Sequence, residues 1–201
     1  MSPRCGYTGQ RLFGALPYVT SMNLTHQSGF LLVASPALQD PNFAKSVILI
    51  VEHDAEGTVG LVLNRPLEHR LRDVIDDIDP RWADVSLHEG GPVQSNLLQL
   101  VCRGEEMAGK TVVRDVVLGT GIEDLAQGEA DPASVRAFAG YSGWGSGQLE
   151  AETREGSWIV RPAEARHIFA IAPEKLWATV LRELGGAYAW MSLTDGDPQD
   201  N

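Results

Sequence analysis

Apolar and polar positions fall into short blocks rather than one sustained period. Phe30 to Ala34 and Val47 to Glu52 are mostly apolar runs set between turn formers, the pattern of buried strands. His53-Asp54-Ala55-Glu56-Gly57 is rich in turn residues and leads into a third run, Thr58 to Leu63, so the second and third runs are expected to form a hairpin. Asn64-Arg65-Pro66 ends it. Leu67, Leu71, Val74, Ile75 and Ile78 then fall on one face of a 3.6-residue period, which predicts a helix ending at Asp79-Pro80. Val85 to Leu87, Leu97 to Cys102, Val112 to Leu118, Trp158 to Val160 and Ile168 to Ile171 are further expected strands, and Ile122 to Gln127 a short helical turn. Asp131-Pro132 is a helix start, with the helix expected to run to about Ala139. The last helix opens at Pro173, presents Leu176, Trp177, Val180, Leu181 and Leu184 on one face, and closes at Gly185-Gly186.

Strands dominate the first half and helices enter singly, so the order of elements gives a mixed α+β single domain, not the strict alternation of a doubly wound parallel sheet. Residues 1–21 show no clear period and read as a poorly ordered extension, with Met22 as the natural start. Residues 22–193 form the domain, and 194–201 an acidic, frayed tail.

Composition narrows the function classes. Against 16 Lys and Arg stand 27 Asp and Glu, a net charge of −11, and only Lys45, Lys110 and Lys175 supply lysine. A chain so acidic repels a phosphate backbone at long range, which disfavours direct nucleic-acid binding. The longest apolar runs are far shorter than a membrane span, and no signal-peptide core is visible, so no membrane partner and a cytoplasmic location are expected. Cys5 and Cys102 read as free thiols, the latter buried. His26, His53, His69, His88 and His167 include no H-x-x-x-H pair, and Glu52-His53-Asp54 and His88-Glu89 are neighbours that point to opposite faces of a strand; no metal site is assigned.

Four blocks, in this order and spacing, resemble the YqgE/AlgH family of bacterial proteins. They are Pro36-Ala37-Leu38-Gln39-Asp40-Pro41-Asn42-Phe43 with Ser46-Val47; Gly57 and Gly60 through Asn64-Arg65-Pro66; Gly90-Gly91-Pro92-Val93; and Gly140-Tyr141-Ser142-Gly143-Trp144-Gly145 with Gly147-Gln148-Leu149-Glu150. The resemblance spans about residues 24 to 193. It implies a mixed, largely antiparallel sheet, partly closed into a small barrel and flanked by helices. Members are often labelled transcriptional regulators, and the resemblance supplies no cofactor and no catalytic residue.

The most unusual stretch is Gly140 to Glu150, with glycines at 140, 143, 145 and 147. It lacks the Gly-Lys-Ser/Thr of a P-loop, the third glycine of G-x-G-x-x-G, and the final glycine of G-x-S-x-G around Ser142. It reads either as a tight turn with Tyr141 and Trp144 packed inward, or as a loop whose main-chain N–H groups meet a ligand. Arg65 can clamp an oxyanion with its planar fork or pair with a nearby acid, and Asn64 can cap a turn. Asp40 reads as a turn cap and Phe43 as a core anchor.

The expected function is therefore a non-enzymatic binding or regulatory protein with no cofactor. A hollow near Asn64, Arg65, Gly90, Gly91, Tyr141, Ser142, Trp144 and Gln148 would take a small molecule or a protein segment. The alternative is an enzyme, such as a hydrolase, with an unrecognised site in the same cleft.

Overall fold

The computed structural model describes residues 28–104, 109–119, 122 and 130–194. The expected extension 1–21, Cys5, His26 and most of the turn expected at 122–127 lie outside these residues, as does the tail from residue 195.

The two apolar runs form β1 (Phe30–Ala34) and β2 (Val47–His53), and the third forms β3 (Gly57–Val62). Every residue of β1 is buried because both faces are covered. Leu31 and Val33 face the main core, while Phe30, Leu32 and Ala34 face a second apolar cluster on the far side. That two-sided cover explains why the sequence shows solid apolar runs rather than alternation. The β2–β3 hairpin is antiparallel, with a register shift between Ile50 and Glu52.

The remaining strands among the described residues are β4 (Pro66–Arg70), β5 (Ser86–Glu89), β6 (Val93–Arg103), β7 (Lys110–Val113), β8 (Val116–Gly119), β9 (Val135–Gly145) and β10 (Trp158–Pro162). They join in the order β10-β1-β2-β3-β9-β6-β8-β7, with β5 parallel to β9 and β4 antiparallel on β5. The sheet curls into a half-barrel. Its far strand comes back against the start of the first: a Cβ placed on Gly29 would lie 2.2 Å from the Val112 carbonyl oxygen. The helices are α1 (Gln148–Arg154), α2 (Ala165–Phe169), α3 (Pro173–Leu184) and α4 (Gly186–Thr194). Leu176, Trp177, Val180, Leu181 and Leu184 of α3 fill the concave side. The α+β class and the partly closed, mainly antiparallel sheet are those expected.

Six local expectations are corrected. The helix expected over 67–78 is instead β4 followed by one 3₁₀ turn, Leu71–Asp73. Leu67 and Val74 are exposed, whereas Leu71 is buried and Ile75 and Ile78 pack beside it in a separate small core with Trp82 and Leu87. The apolar spacing serves that core along a folded-back path, because the Leu71 N–H donates to the Val85 carbonyl and so ties the segment to the chain ahead of β5. The helix expected from Asp131 lasts one 3₁₀ turn, Pro132–Ser134, with Asp131 accepting from the Ala133 N–H. After it, Val135 and Ala137 face the small core while Phe138 faces the main one, a strand period that the cap signal masked. The glycine-rich stretch 140–147 is mostly the second half of β9, not a loop. Val112 to Leu118 is two strands turning at Arg114-Asp115, where Asp115 adopts φ 62°. Ile168 to Ile171 contributes to helix α2 instead of a strand, and α4 follows Gly185-Gly186 directly, where the sequence suggested only a stop.

A charged cluster binds α2 and α3 to β10. The Glu183 carboxylate accepts from Arg161 at 2.7 Å, from Arg166 at 2.5 Å and from His167 Nε2 at 3.2 Å. His167 Nδ1 accepts from the Glu164 N–H at 3.0 Å, so the neutral ring carries its proton on Nε2. Burial pushes the Glu183 carboxyl up, but the donors from Arg166, His167 and Arg161 outweigh it and hold it at about 2. Burial is the main cause that lowers the His167 pKa, despite the Glu183 hydrogen bond. Both shifts are depressions. The stability they supply is present at neutral pH and is lost as pH falls, first below the ordinary histidine range and then from about 4.5 toward 2. Glu183→Gln is expected to lower the urea midpoint at pH 7, by roughly 1–3 kcal/mol for charge-assisted bonds lost. Its deficit against the unmodified protein should shrink between about pH 4.5 and pH 2. A deficit that stays constant over that window would show that the carboxylate is not the titrating group.

Candidate functional site

The three expected segments do meet in space, and they meet main chain against main chain. Gly90 threads between β3 and β9: its carbonyl accepts from the Val62 N–H and its N–H donates to the Ala139 carbonyl. A Cβ on Gly90 would fall 2.2 Å from the Gly140 oxygen, and one on Gly91 would fall 2.3 Å from the Tyr141 carbonyl carbon. Ser142 is fully buried, and its hydroxyl donates to the Gly90 carbonyl at 3.4 Å. Asn64 is a clamp. Its Oδ1 accepts from the Val47 N–H at 2.8 Å and its Nδ2 donates to the Lys45 carbonyl at 2.9 Å, holding Lys45 at φ 56°. Arg65 reaches the Pro41 carbonyl at 3.4 Å and lies 3.9 Å from the Glu89 carboxylate.

Trp144 and Gln148 belong to a second network, on the convex side of the sheet. The Trp144 and Trp158 indole N–H groups both donate to one carboxylate oxygen of Glu152, at 3.0 and 2.8 Å, and the Gln148 amide donates to the other oxygen at 2.9 Å. Phe43 stacks on Trp144 with ring centroids 6.0 Å apart and meets Trp158 edge-on at 5.6 Å, so it anchors the loop before β2, as expected. Asp40 caps that loop by accepting from the Asn42 N–H at 2.8 Å.

The open space lies next to this junction, where β3 and β9 run on together. A cleft of about 470 Å³ is lined by Glu52, Asp54, Glu56, Gly57, Thr58, Val59, Val93, Tyr141, Gly143 and Trp144. Alternation along β9 turns the Trp144 indole to the opposite face, so Tyr141, Val59 and Val93 give the apolar floor. Glu52, Asp54 and Glu56, all exposed, give the rim. Asp54 also accepts from the Glu56 and Gly57 N–H groups, which fixes the turn that carries the rim. Of the expected site residues, Tyr141 and Trp144 line the cleft; Asn64, Arg65, Gly90, Gly91, Ser142 and Gln148 do not. Sequence reasoning passed over Glu52, Asp54, Glu56 and Val93. The acids straddle the end of the second apolar run and the turn after it, and the only signal was their density: three acids within five residues.

Among the described residues no group of three or more His, Cys, Asp or Glu is placed to hold a metal, and no helix is long and apolar enough to cross a membrane.

A curled α+β half-barrel with these four sequence blocks at its strand junction defines a class, and the comparisons give that class its family. The chain belongs to the AlgH-like (YqgE/AlgH) family, whose model matches residues 31–189. It is 40% identical over 190 residues to a UPF0301 protein of Streptomyces coelicolor, covering 87% of this chain and 95% of that one. A UPF0301 protein of Chlorobaculum tepidum is 38% identical over 170 residues, covering 82% of this chain and 90% of the relative. The fold is similar to the solution structure of AlgH from Pseudomonas aeruginosa, with TM-score 0.68 and 27% identity over 90% of this chain and all of that one. It is likewise similar to a Corynebacterium diphtheriae protein, with TM-score 0.69 and 26% identity over 92% of this chain and 99% of that one.

Proposed function

We propose that the protein is a non-enzymatic cytosolic binding protein that uses the Tyr141 cleft to hold a cationic group, presented by a small molecule or by a basic protein segment. The carrying observation is the cleft itself: an apolar floor of Tyr141, Val59 and Val93 under a rim of three exposed carboxylates. An amine or guanidinium over the Tyr141 ring gains from the ring face and from the rim together. Any regulatory role runs through such a partner and not through a DNA duplex, since the rim and the net charge of −11 both repel phosphate.

Spermidine and a lysine-rich peptide serve as probes, followed by amide chemical shifts at low ionic strength. Both are expected to perturb Tyr141, Gly143 and Val93 in a saturable way. Glu52→Gln with Glu56→Gln should weaken the binding about tenfold, since each exposed pair contributes roughly 0.2–1 kcal/mol. Unchanged affinity in the double variant, or perturbations confined to other parts of the surface, would overturn the reading.

A further inference from the structure

The opposite end of β9 carries a different chemistry. Three arginines among the described residues are half-buried: Arg65, Arg136 and Arg161. Arg65 lies 3.9 Å from Glu89 and Arg161 2.7 Å from Glu183. Arg136 has no carboxylate partner among the described residues, although the chain holds 27 acids. Its guanidinium is held by carbonyls instead. Nη1 donates to Val135 at 3.0 Å and to Ala133 at 3.4 Å, Nη2 donates to Phe169 at 3.1 Å, and the group lies 5.5 Å from the Phe169 ring centroid. These contacts fix its position without neutralising it. Its Nε donates to no described residue, so part of the planar fork is unused among them.

The register places a buried histidine beside it. His88 of β5 pairs with Phe138 of β9, and Phe138 and Arg136 share a face, so His88 and Arg136 are diagonal neighbours on one side of the sheet. The His88 ring is 3% exposed and tilted against Phe138 at 5.5 Å, and its Nδ1 is buried with no hydrogen-bond partner. Burial, and then the Arg136 charge, hold its pKa below the ordinary value against the opposing effect of the nearby Ala137 and Ser86 backbone, so the ring is neutral at pH 7 and adds no repulsion for Arg136 to overcome. Ser86, two residues before His88, is exposed at the rim of the same face.

A half-buried cation with no counter-ion among the described residues, next to a buried ring nitrogen with no side-chain partner there, is costly unless something supplies the missing charge. We propose that Arg136, with His88 below it and Ser86 at its rim, is a binding site for a small oxyanion, the carboxylate or phosphate end of a metabolite. A guanidinium fork matches the planar or tetrahedral oxygens of either group, and charge-assisted bonds of this kind are the strong ones. The site lies on the other half of β9 from the Tyr141 cleft and does not depend on it.

The probes are inorganic phosphate and acetate, each titrated against chloride at fixed ionic strength to remove general screening. Thermal unfolding and the imidazole resonances of His88 are followed together. The unmodified protein is expected to gain stability saturably with at least one of the two anions, with the His88 signals moving in parallel. Response to phosphate alone assigns a phosphoryl ligand; response to acetate alone or to both assigns a carboxylate. Arg136→Gln should weaken the response at least about tenfold, and Arg136→Lys, which keeps the charge but loses the fork, should restore part of it. The absence of a saturable response to either anion in the unmodified protein would sink the proposal without recourse to any variant. So would a response of equal strength in Arg136→Gln.

Discussion

Gly90→Ala is expected to prevent the chain from folding, or to lower its stability by more than about 3 kcal/mol, the upper end of what overpacking a well-filled interior costs. The reason is placement. The new methyl group would sit 2.2 Å from the Gly140 oxygen, 3.1 Å from its carbon and 3.3 Å from a Leu61 methyl. A flexible side chain can move aside, but a carbonyl in a central strand cannot. Gly90 is also bonded to β3 on one side and β9 on the other, so it cannot retreat without breaking the Val62 or Ala139 hydrogen bond. Gly147→Ala is the matched control. Gly147 adopts φ 73° with nothing within 4 Å of an added Cβ, so the change costs only the left-handed backbone penalty of roughly 1–2 kcal/mol. Urea unfolding of the two variants separates collision from conformation. Equal midpoints would show that the β3–β9 junction is looser than the packing implies.

The second large effect is expected at Glu152. One of its oxygens accepts from two buried indoles, and the other from Gln148. Glu152→Ala leaves the Trp144 and Trp158 N–H groups without an acceptor. At roughly 1–3 kcal/mol for each buried donor left unsatisfied, a loss of about 3 kcal/mol follows. Glu152→Gln keeps an oxygen that can accept, and should recover most of that loss. Tryptophan fluorescence gives the second readout, because the two indoles lie 5.9 Å apart and Phe43 packs on both. Alanine should alter the emission and glutamine should leave it close to the original. Equal destabilisation by both variants, with unaltered emission, would mean that the carboxylate serves only to cover the rings.

Legibility followed how many faces of an element are covered and how far away its partners lie. β1 and β2 are buried on both sides, so their apolar runs are unbroken, and the intervening turn residues announce the hairpin. Helix α3 carries its full amphipathic stripe between a proline and a glycine. The segment 67–78 misled because Leu71, Ile75 and Ile78 do share a core, yet reach it through a strand, one tight turn and a reversal, and apolar spacing alone does not distinguish that path from a helix. In β9 the glycines suggested a loop. Gly140 is there because Gly90 and Gly91 cross it at main-chain distance, a reason held some fifty residues away in the sequence. The candidate site was legible to the same degree. Tyr141 and Trp144 stand out as large aromatics among glycines. The rim at Glu52, Asp54 and Glu56 looks like ordinary turn chemistry until β3 and β9 are aligned. Glu152, one of two acids in a short helix, gives no sign of the two indoles that converge on it, and Arg136 looks like any other charged strand residue until it is seen to have no counter-ion among the described residues.

The topology also bears on how the chain reaches this state. β1, the first strand among the described residues, is completed on one side by β10, Phe30 lying opposite Pro162, and the Ala34 carbonyl is capped by the Trp177 indole across 143 residues. Such distant closures must be made before they bring any gain, which places the protein among the slower, millisecond-to-second folders. On the ribosome, β1 and β2 can pair early, but one flank of β1 has to wait for almost the whole chain to emerge.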